Sequence, residues 1–258
     1  MVDAMSTYRN SLKERLDQSL PCLGAWLTSD STINAAAMSS MGFHFLVVDL
    51  EHGCADISQA ENLFLVAERY GAAPIARISS ADGNLARRLL DLGAHGIIIS
   101  TVENADKFQA FSKYCLYPPH GHRGVGLSRC NRFGDNFDAY YQGFRPLLVP
   151  MIETKRGVKA AEAIAAIPEV DALFLGPYDL SADLGKPGEF NSPEFLDAVQ
   201  TVKSVAEKLG KTAGIHQVEP DLKALRERLA DGFGFVAYGT DVAAMRYALS
   251  GISEFTGD

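Results

Sequence analysis

Eight short, unbroken runs of Val, Ile, Leu and Phe alternate along the chain with longer stretches whose apolar residues recur at helical spacing. A strand with one wet face alternates polar and apolar residues. A continuous apolar run is the pattern of a strand buried on both faces, as in a parallel sheet covered by helices. The predicted strands are 23–27, 45–50, 74–78, 96–101, 146–152, 172–175, 212–215 and 235–238. The helical stretches are 32–41, 58–70, 83–92, 105–114, 155–167, 192–209, 220–231 and 242–249, one after each strand. Gly42, Gly71, Gly93, Gly210 and Gly232 stand where helices should end in the left-handed conformation. Ser58 and Ser192 stand where helices should begin.

Strand–helix alternation with short connections predicts a parallel α/β architecture. A doubly wound open sheet is the competing arrangement. Eight units without a GxGxxG turn favour a closed (β/α)₈ TIM barrel. At 258 residues the chain has the length of one such barrel, so residues 1–258 are expected to form a single domain. One segment breaks the rhythm: residues 118–144 are a long, Gly-, Pro- and Arg-rich connection, read as a structureless loop of the kind that carries function.

The composition, 47% hydrophobic and 22% charged, is that of a soluble globular protein. The net charge of −8 and the lack of a basic stripe argue against nucleic acid and anionic membranes as partners. Cys22, Cys54, Cys115 and Cys130 match neither a CxxC metal pattern nor a dense disulfide framework, and read as free thiols in a reducing cytosol. The first twenty residues are polar and helical rather than a signal peptide. No apolar run reaches the roughly 20 residues that span a bilayer. A cytoplasmic location is expected.

In a barrel the chemistry sits at the C-terminal ends of the strands. Those ends carry Asp49-Leu50-Glu51-His52, Arg77, Glu153-Thr154-Lys155, Gly176-Pro177-Tyr178-Asp179, His216-Gln217 and Gly239-Thr240-Asp241. Glu153 and Asp179 close neighbouring strands, and two such carboxylates repel unless a cation lies between them. Oxygen ligands without Cys or His point to a hard divalent ion. The plain alternative pairs Glu153 with a Lys or Arg and makes Asp179 a helix cap. His52 is a candidate general base or a solvated loop residue. Arg77, inside an apolar strand, requires an anion, either a structural carboxylate or a substrate carboxylate. His216 reads as a structural or substrate-wall residue. His120, His122 and Arg123 form a basic loop, either an anion site or a solvated turn. His44 and His95 precede strands, where stability is the default role.

The segments FHFLVVDLEHG, PIARI, RRLLDLGAHGI, YPPHGHRGVG, IETK, LFLGPYDLSADLG and FVAYGTD, in this order, resemble the HpcH/HpaI aldolases, a family of metal-dependent class II pyruvate aldolases such as 2,4-dihydroxyhept-2-ene-1,7-dioate aldolase. The resemblance runs from about residue 23 to 249. It implies reversible cleavage of a 4-hydroxy-2-oxo acid to pyruvate and an aldehyde through a metal-stabilised enolate. By the same resemblance Glu153 and Asp179 hold Mg²⁺, Mn²⁺ or Co²⁺, and Arg77 stabilises charge on the enolate oxygen. His52 serves as acid and base through water, supported by Asp91, while Asp49 lies beneath the site. Backbone N–H groups of Gly176-Pro177-Tyr178 receive the substrate carboxylate. Val125 belongs to a loop that walls the site of a neighbouring subunit. The family's homo-oligomers are trimers or hexamers, with helix exchange near the C-terminus.

Two departures from the family pattern stand out. Met151 replaces a glutamine common two positions before the metal glutamate, and faces the same way as Glu153. Its thioether cannot replace the donor and acceptor of an amide. Tyr178 stands where smaller residues are frequent. No lysine ends a strand in an apolar setting, which weakens a Schiff-base mechanism. A Claisen-type acyltransferase, resembling a citrate synthase, is the competing use of the same enolate site. A non-catalytic barrel is the third reading, disfavoured by the retained polar set.

Overall fold

The computed structural model describes residues 10–256. Eight parallel strands pair in sequence order and the eighth closes onto the first. They are β1 (Cys22–Leu27), β2 (Phe45–Asp49), β3 (Ala73–Ile78), β4 (Gly96–Ile99), β5 (Leu147–Ile152), β6 (Ala172–Leu175), β7 (Thr212–Gln217) and β8 (Phe235–Thr240). The helices are α1 (Ser11–Asp17), α2 (Thr32–Ser39), α3 (Ile57–Arg69), α4 (Gly83–Asp91), α5 (Ala105–Cys115), α6 (Phe137–Gly143), α7 (Lys155–Ala165), α8 (Pro177–Asp183), α9 (Pro193–Lys208), α10 (Leu222–Ala230), α11 (Asp241–Ala248) and α12 (Ser253–Thr256). The closed (β/α)₈ TIM barrel expected from the alternation is the observed fold.

Two apolar layers account for the continuous strand runs. One side of each strand faces the helices, where Leu46, Ile97 and Leu173 join Phe64 and Val202 in the larger core. The other side faces the barrel axis, filled by Trp26, Phe45, Ile75, Ile98, Phe174 and Phe235. Side chains alternate with period two. Two residues beyond Val47, Ile75, Ile98, Met151, Phe174 and Gly214 therefore lie Asp49, Arg77, Ser100, Glu153, Gly176 and His216, all on the inward face at the top of the barrel. The floor is closed by α1. Leu12 is fully buried against the inner core, and the Asn10 side chain donates to the carbonyls of His95 (2.6 Å) and Arg145 (3.1 Å). Of the polar, helical N-terminus read from the sequence, residues 1–9 lie outside the described residues.

The five glycines predicted to end helices all have positive φ, between 63° and 99°, the conformation that costs glycine least. The start signals need correction. Asp56, not Ser58, caps α3: its carboxylate accepts from the Ser58 and Gln59 N–H groups, while Gln59 returns a bond to the Asp56 N–H. Ser192 is the N-cap of α9 but makes no side-chain capping bond.

Residues 118–144 are not structureless. They contain a 3₁₀ segment, Arg129–Gly134, and α6. Buried Arg123 organises them: it pairs with Asp91 at 2.6 Å and lies over the rings of Tyr117 and Tyr140. Of the two readings of the basic loop, anion site or solvated turn, Arg123 fits neither: it is buried and its charge is paired inside the chain. His122 packs edge-on against Tyr114. His44 accepts a hydrogen bond from the Leu23 N–H at 3.0 Å, a structural role, as expected for its place.

Candidate active site

Asp49 and Arg77 are register partners on adjacent strands, and both are buried. The guanidinium grips the carboxylate with two bonds, Nε to Oδ1 at 2.7 Å and Nη2 to Oδ2 at 2.6 Å. Its Nη1 reaches Glu51 at 2.5 Å and Ser100 Oγ at 3.3 Å. Nε, Nη1 and Nη2 each donate one hydrogen bond, Nη1 also lies in ion-pair contact with Glu51, and the second N–H of Nη2 remains for a ligand. Of the two partners open for Arg77 at the sequence level, the structural carboxylate is the one present. Burial alone would raise the Asp49 pKa, but Arg77 and the indole of Trp26 outweigh it and hold the carboxyl below its ordinary range. Asp49 Oδ1 also accepts the backbone N–H groups of Glu51 (3.0 Å) and His52 (3.1 Å). One carboxylate therefore fixes both the arginine and the turn that presents His52, which lies exposed at the mouth.

Glu153 is buried and, among the described residues, pairs with no lysine or arginine. Its Oε1 accepts from the backbone N–H (2.5 Å) and hydroxyl (2.7 Å) of Thr101. Thr101 sits at φ 52°, a region unfavourable for a β-branched residue and one that recurs at functional sites. Oε2 of Glu153 is buried without any hydrogen-bond partner. A Cβ added to Gly176 would fall on that oxygen, so the absent side chain makes its space. Burial first, then the charges of Asp179 and Glu51, raise the Glu153 pKa against the two Thr101 bonds. Asp179 lies exposed in the first turn of α8 and does not cap it, since Gly176 is the N-cap and no side chain bonds there.

Among the described residues no three His, Cys, Asp or Glu side chains converge on a metal position. Two carboxylates at neighbouring strand tips fit a different kind of site, in which substrate and water supply the remaining oxygens. The orphaned Oε2 and the space kept by Gly176 fit that arrangement.

The other predicted residues divide. Met151 is buried beside this pair, its Sδ 3.7 Å from Ser100 Oγ. The Tyr178 hydroxyl donates to Glu219, which pushes its pKa up to about 12, and its ring packs edge-on against Phe190. Within the loop Gly176-Pro177-Tyr178, Gly176 and Tyr178 can each offer a backbone N–H; Pro177 has none. Asp91 and Val125 are not at this mouth within the chain. Asp91 is the last residue of α4, which runs from the tip of β3 down to the start of β4. It is bonded to Arg123, not His52, and Val125 lies beside it, between Gly124 near Arg87 and Gly126 near Asp91. Lys155 starts α7 and does not enter the barrel.

Sequence reasoning missed Ser100, Thr101 and Trp26 as site builders. Ser100 Oγ donates to Glu51 and accepts from Arg77, and Trp26 Nε1 donates to Asp49 Oδ2 at 3.1 Å. A Ser-Thr pair ending a run of three isoleucines was the available signal.

Residues 23–248 match the HpcH/HpaI aldolase/citrate lyase family. The chain belongs to that family. It is 33% identical to a hydroxypyruvate/pyruvate aldolase from Chromohalobacter salexigens over 98% of this chain and 100% of that one. It is likewise 33% identical to a 5-keto-4-deoxy-D-glucarate aldolase from Shigella dysenteriae, over 96% of each. Among solved structures, an HpcH/HpaI aldolase/citrate lyase family protein from Burkholderia cenocepacia superposes with a TM-score of 0.89 at 29% identity, covering 96% of this chain and all of the other. As a member of the HpcH/HpaI family with these relatives, the chain is an enzyme, a carbon–carbon lyase of the aldolase kind.

Proposed function

We propose that the enzyme reversibly cleaves a 4-hydroxy-2-oxo acid into pyruvate and an aldehyde, with a hard divalent cation held by Glu153 and Asp179. The observation that carries this reading is the buried Glu153 Oε2, a carboxylate oxygen with no donor among the described residues, beside a glycine that keeps its space open. A buried anionic oxygen left unpaired is costly, and a cation relieves that cost. When bound, Mg²⁺, Mn²⁺ or Co²⁺ would polarise the 2-oxo group and bind the adjacent carboxylate oxygen.

The chain's own residues do the rest. Arg77, fixed by Asp49 and Glu51, aims its remaining N–H where negative charge develops on the oxygen at C2 as the C3–C4 bond breaks. A preorganised donor of this kind needs no reorganisation during the reaction. His52, on the turn held by Asp49, takes the proton of the C4 hydroxyl as the aldehyde forms. A proton returned to C3 completes pyruvate. The N–H groups of Gly176 and Tyr178 orient the substrate carboxylate. Met151 leaves this wall apolar, and Tyr178 narrows the entrance.

Asp91 and Val125 reach a site only from a neighbouring copy. The reading therefore includes a homo-oligomer, a trimer or hexamer, of single-domain subunits that exchange the C-terminal helix. The exposed Val242, Met245, Leu249, Ile252 and Phe255 support that exchange. No helix among the described residues is long and apolar enough to cross a membrane; a cytoplasmic setting belongs to the proposal.

The test is hydrogen–deuterium exchange of the pyruvate methyl group, followed by NMR with Mg²⁺ or Mn²⁺ and then with EDTA. Exchange that requires the metal and disappears in Glu153→Ala is expected. No exchange with any divalent metal would overturn the reading and move a Claisen-type acyl transfer forward, which thiol release from an acyl-CoA and oxaloacetate would detect.

A further inference from the structure

The side chains divide the barrel mouth into two arcs. The inward tips of β2 to β6 and the turn after β6 carry Asp49, Arg77, Glu153 and Asp179 together with the polar Ser100. The remaining arc, β7, β8 and β1, presents His216, side-chainless Gly239 and Trp26. Asp241, at the end of β8, has its carboxylate oxygens already taken up by the protein. It is buried and bonded to the backbone and hydroxyls of Thr28 and Ser29 and to the amide of Asn34. Glu219, in the loop after β7, is taken up by the Tyr178 hydroxyl. If the pyruvate unit occupies the arc of Arg77 and Glu153, the aldehyde half of the substrate lies over the arc of His216, Gly239 and Trp26.

His216 is the residue of that arc with unused chemistry. Its ring stacks on Trp26, with centroids 4.5 Å apart and planes 19° apart. Trp26 is itself tied to Asp49, so one face of the imidazole is fixed. The ring bonds to the backbone of Gly239, while Nε2 is buried and has no partner. That bond raises the pKa, as one donated by the ring to a backbone acceptor does; with Nε2 unpartnered the donor is Nδ1, which leaves Nε2 a lone pair in the neutral ring. Burial keeps the imidazole neutral, its pKa pushed down to about 4. A Cβ built on neighbouring Gly239 meets nothing within 4 Å, so this arc is open at Gly239.

We infer that His216 Nε2 accepts a hydrogen bond from a hydroxyl on the aldehyde half, next to the aldehyde carbon, and thereby selects 2-hydroxyaldehydes over alkyl aldehydes. The inference rests on the aldolase reading above. A carboxylate or carbonyl oxygen offers no proton to a lone pair, and an alkyl group leaves the buried nitrogen unpaired. A site built to bond a hydroxyl rejects the analogue that lacks it more strongly than an apolar wall rejects an added one.

The experiment compares pyruvate addition to glycolaldehyde and to its isostere propanal, as the ratio of their kcat/KM values. Comparing that ratio between wild type and His216→Phe cancels the intrinsic reactivity of the two aldehydes. Phenylalanine keeps the stacking on Trp26 and removes the acceptor. The ratio is expected to fall at least about tenfold in favour of propanal, the loss of one buried hydrogen bond. Should the phenylalanine variant not fold, as judged by circular dichroism, His216→Leu is read by the same ratio. An unchanged ratio overturns the role of His216. Wild-type methyl exchange without aldehyde keeps the two failures apart: its absence sinks the aldolase reading, and its presence with an unchanged ratio sinks only His216.

Discussion

At the scale of single residues, the site is a set of side chains that hold one another. Arg77 is both structural and functional, so its replacement should produce two separable effects. Arg77→Ala strands Asp49 as a buried charge and should cost about 3–5 kcal/mol of stability. It should also lower kcat/KM about 100- to 1,000-fold by removing a donor at the developing oxyanion. Arg77→Lys keeps the charge without the two-pronged grip. Thermal melting should recover in part while pyruvate exchange stays low; full recovery of both would show that the fork geometry is unimportant. Gly176→Ala tests the metal position itself. Its methyl group would fall on Glu153 Oε2, so Mn²⁺ affinity measured by calorimetry should drop about 10- to 100-fold, the scale of a disturbed metal ligand. Unaltered affinity would mean that Oε2 is not a ligand. Much of this constellation was legible in the sequence because polar residues at strand tips are conspicuous after apolar runs. Asp49, Arg77, Glu153 and Asp179 all stood out in that way. Ser100 and Thr101 did not, because their roles arise from a left-handed backbone turn and from cross-strand neighbours that no local pattern encodes.

At the scale of elements, strand period and glycine position foretold the barrel, with boundaries displaced by at most two residues at each strand end. What could not be read was how the barrel closes. Asp241 does much of that work: from the end of β8 it receives hydrogen bonds from the β1 tip and from α2. Burial tends to raise its pKa, and the Ser29, Thr28 and Asn34 bonds more than reverse this, leaving it below the ordinary carboxylate range. The sign follows. A carboxyl with a depressed folded-state pKa contributes its full stability above the unfolded value of about 4 and loses it as pH falls through the folded value. Asp241→Asn should therefore cost about 2–3 kcal/mol at neutral pH and flatten the acid limb of the stability curve, measured by urea unfolding between pH 3 and 7. A parallel loss at every pH would assign the effect to packing instead. The segment 118–144 shows the other limit of pattern reading. Its order depends on Arg123 entering a cage of Tyr117, Tyr140 and Asp91, contacts up to 32 residues apart in the chain.

At the scale of the whole molecule, the placement of Asp91 becomes informative. Within one chain it lies at the foot of the barrel, while His52 lies at the mouth, so the support expected for the histidine cannot come from the same copy. The surface around Asp91 suits a neighbour: Val125, Leu127 and Phe133 expose 57%, 67% and 72% of their area. Exposed apolar side chains gathered in one region mark an interaction surface. An assembly in which the foot of one barrel meets the mouth of another would bring Asp91 to His52 and cover these residues together. Active sites shared in this way permit a test by mixing. His52→Ala and Asp91→Ala chains should each be nearly inactive alone. Co-refolded, or co-expressed with different tags and purified as hybrids, they should regain a substantial part of wild-type pyruvate exchange, because some sites then combine an intact His52 with an intact Asp91 from another copy. If the hybrids form and remain inactive, Asp91 serves only to hold Arg123, and the loss in its variant should then appear as a lowered melting temperature.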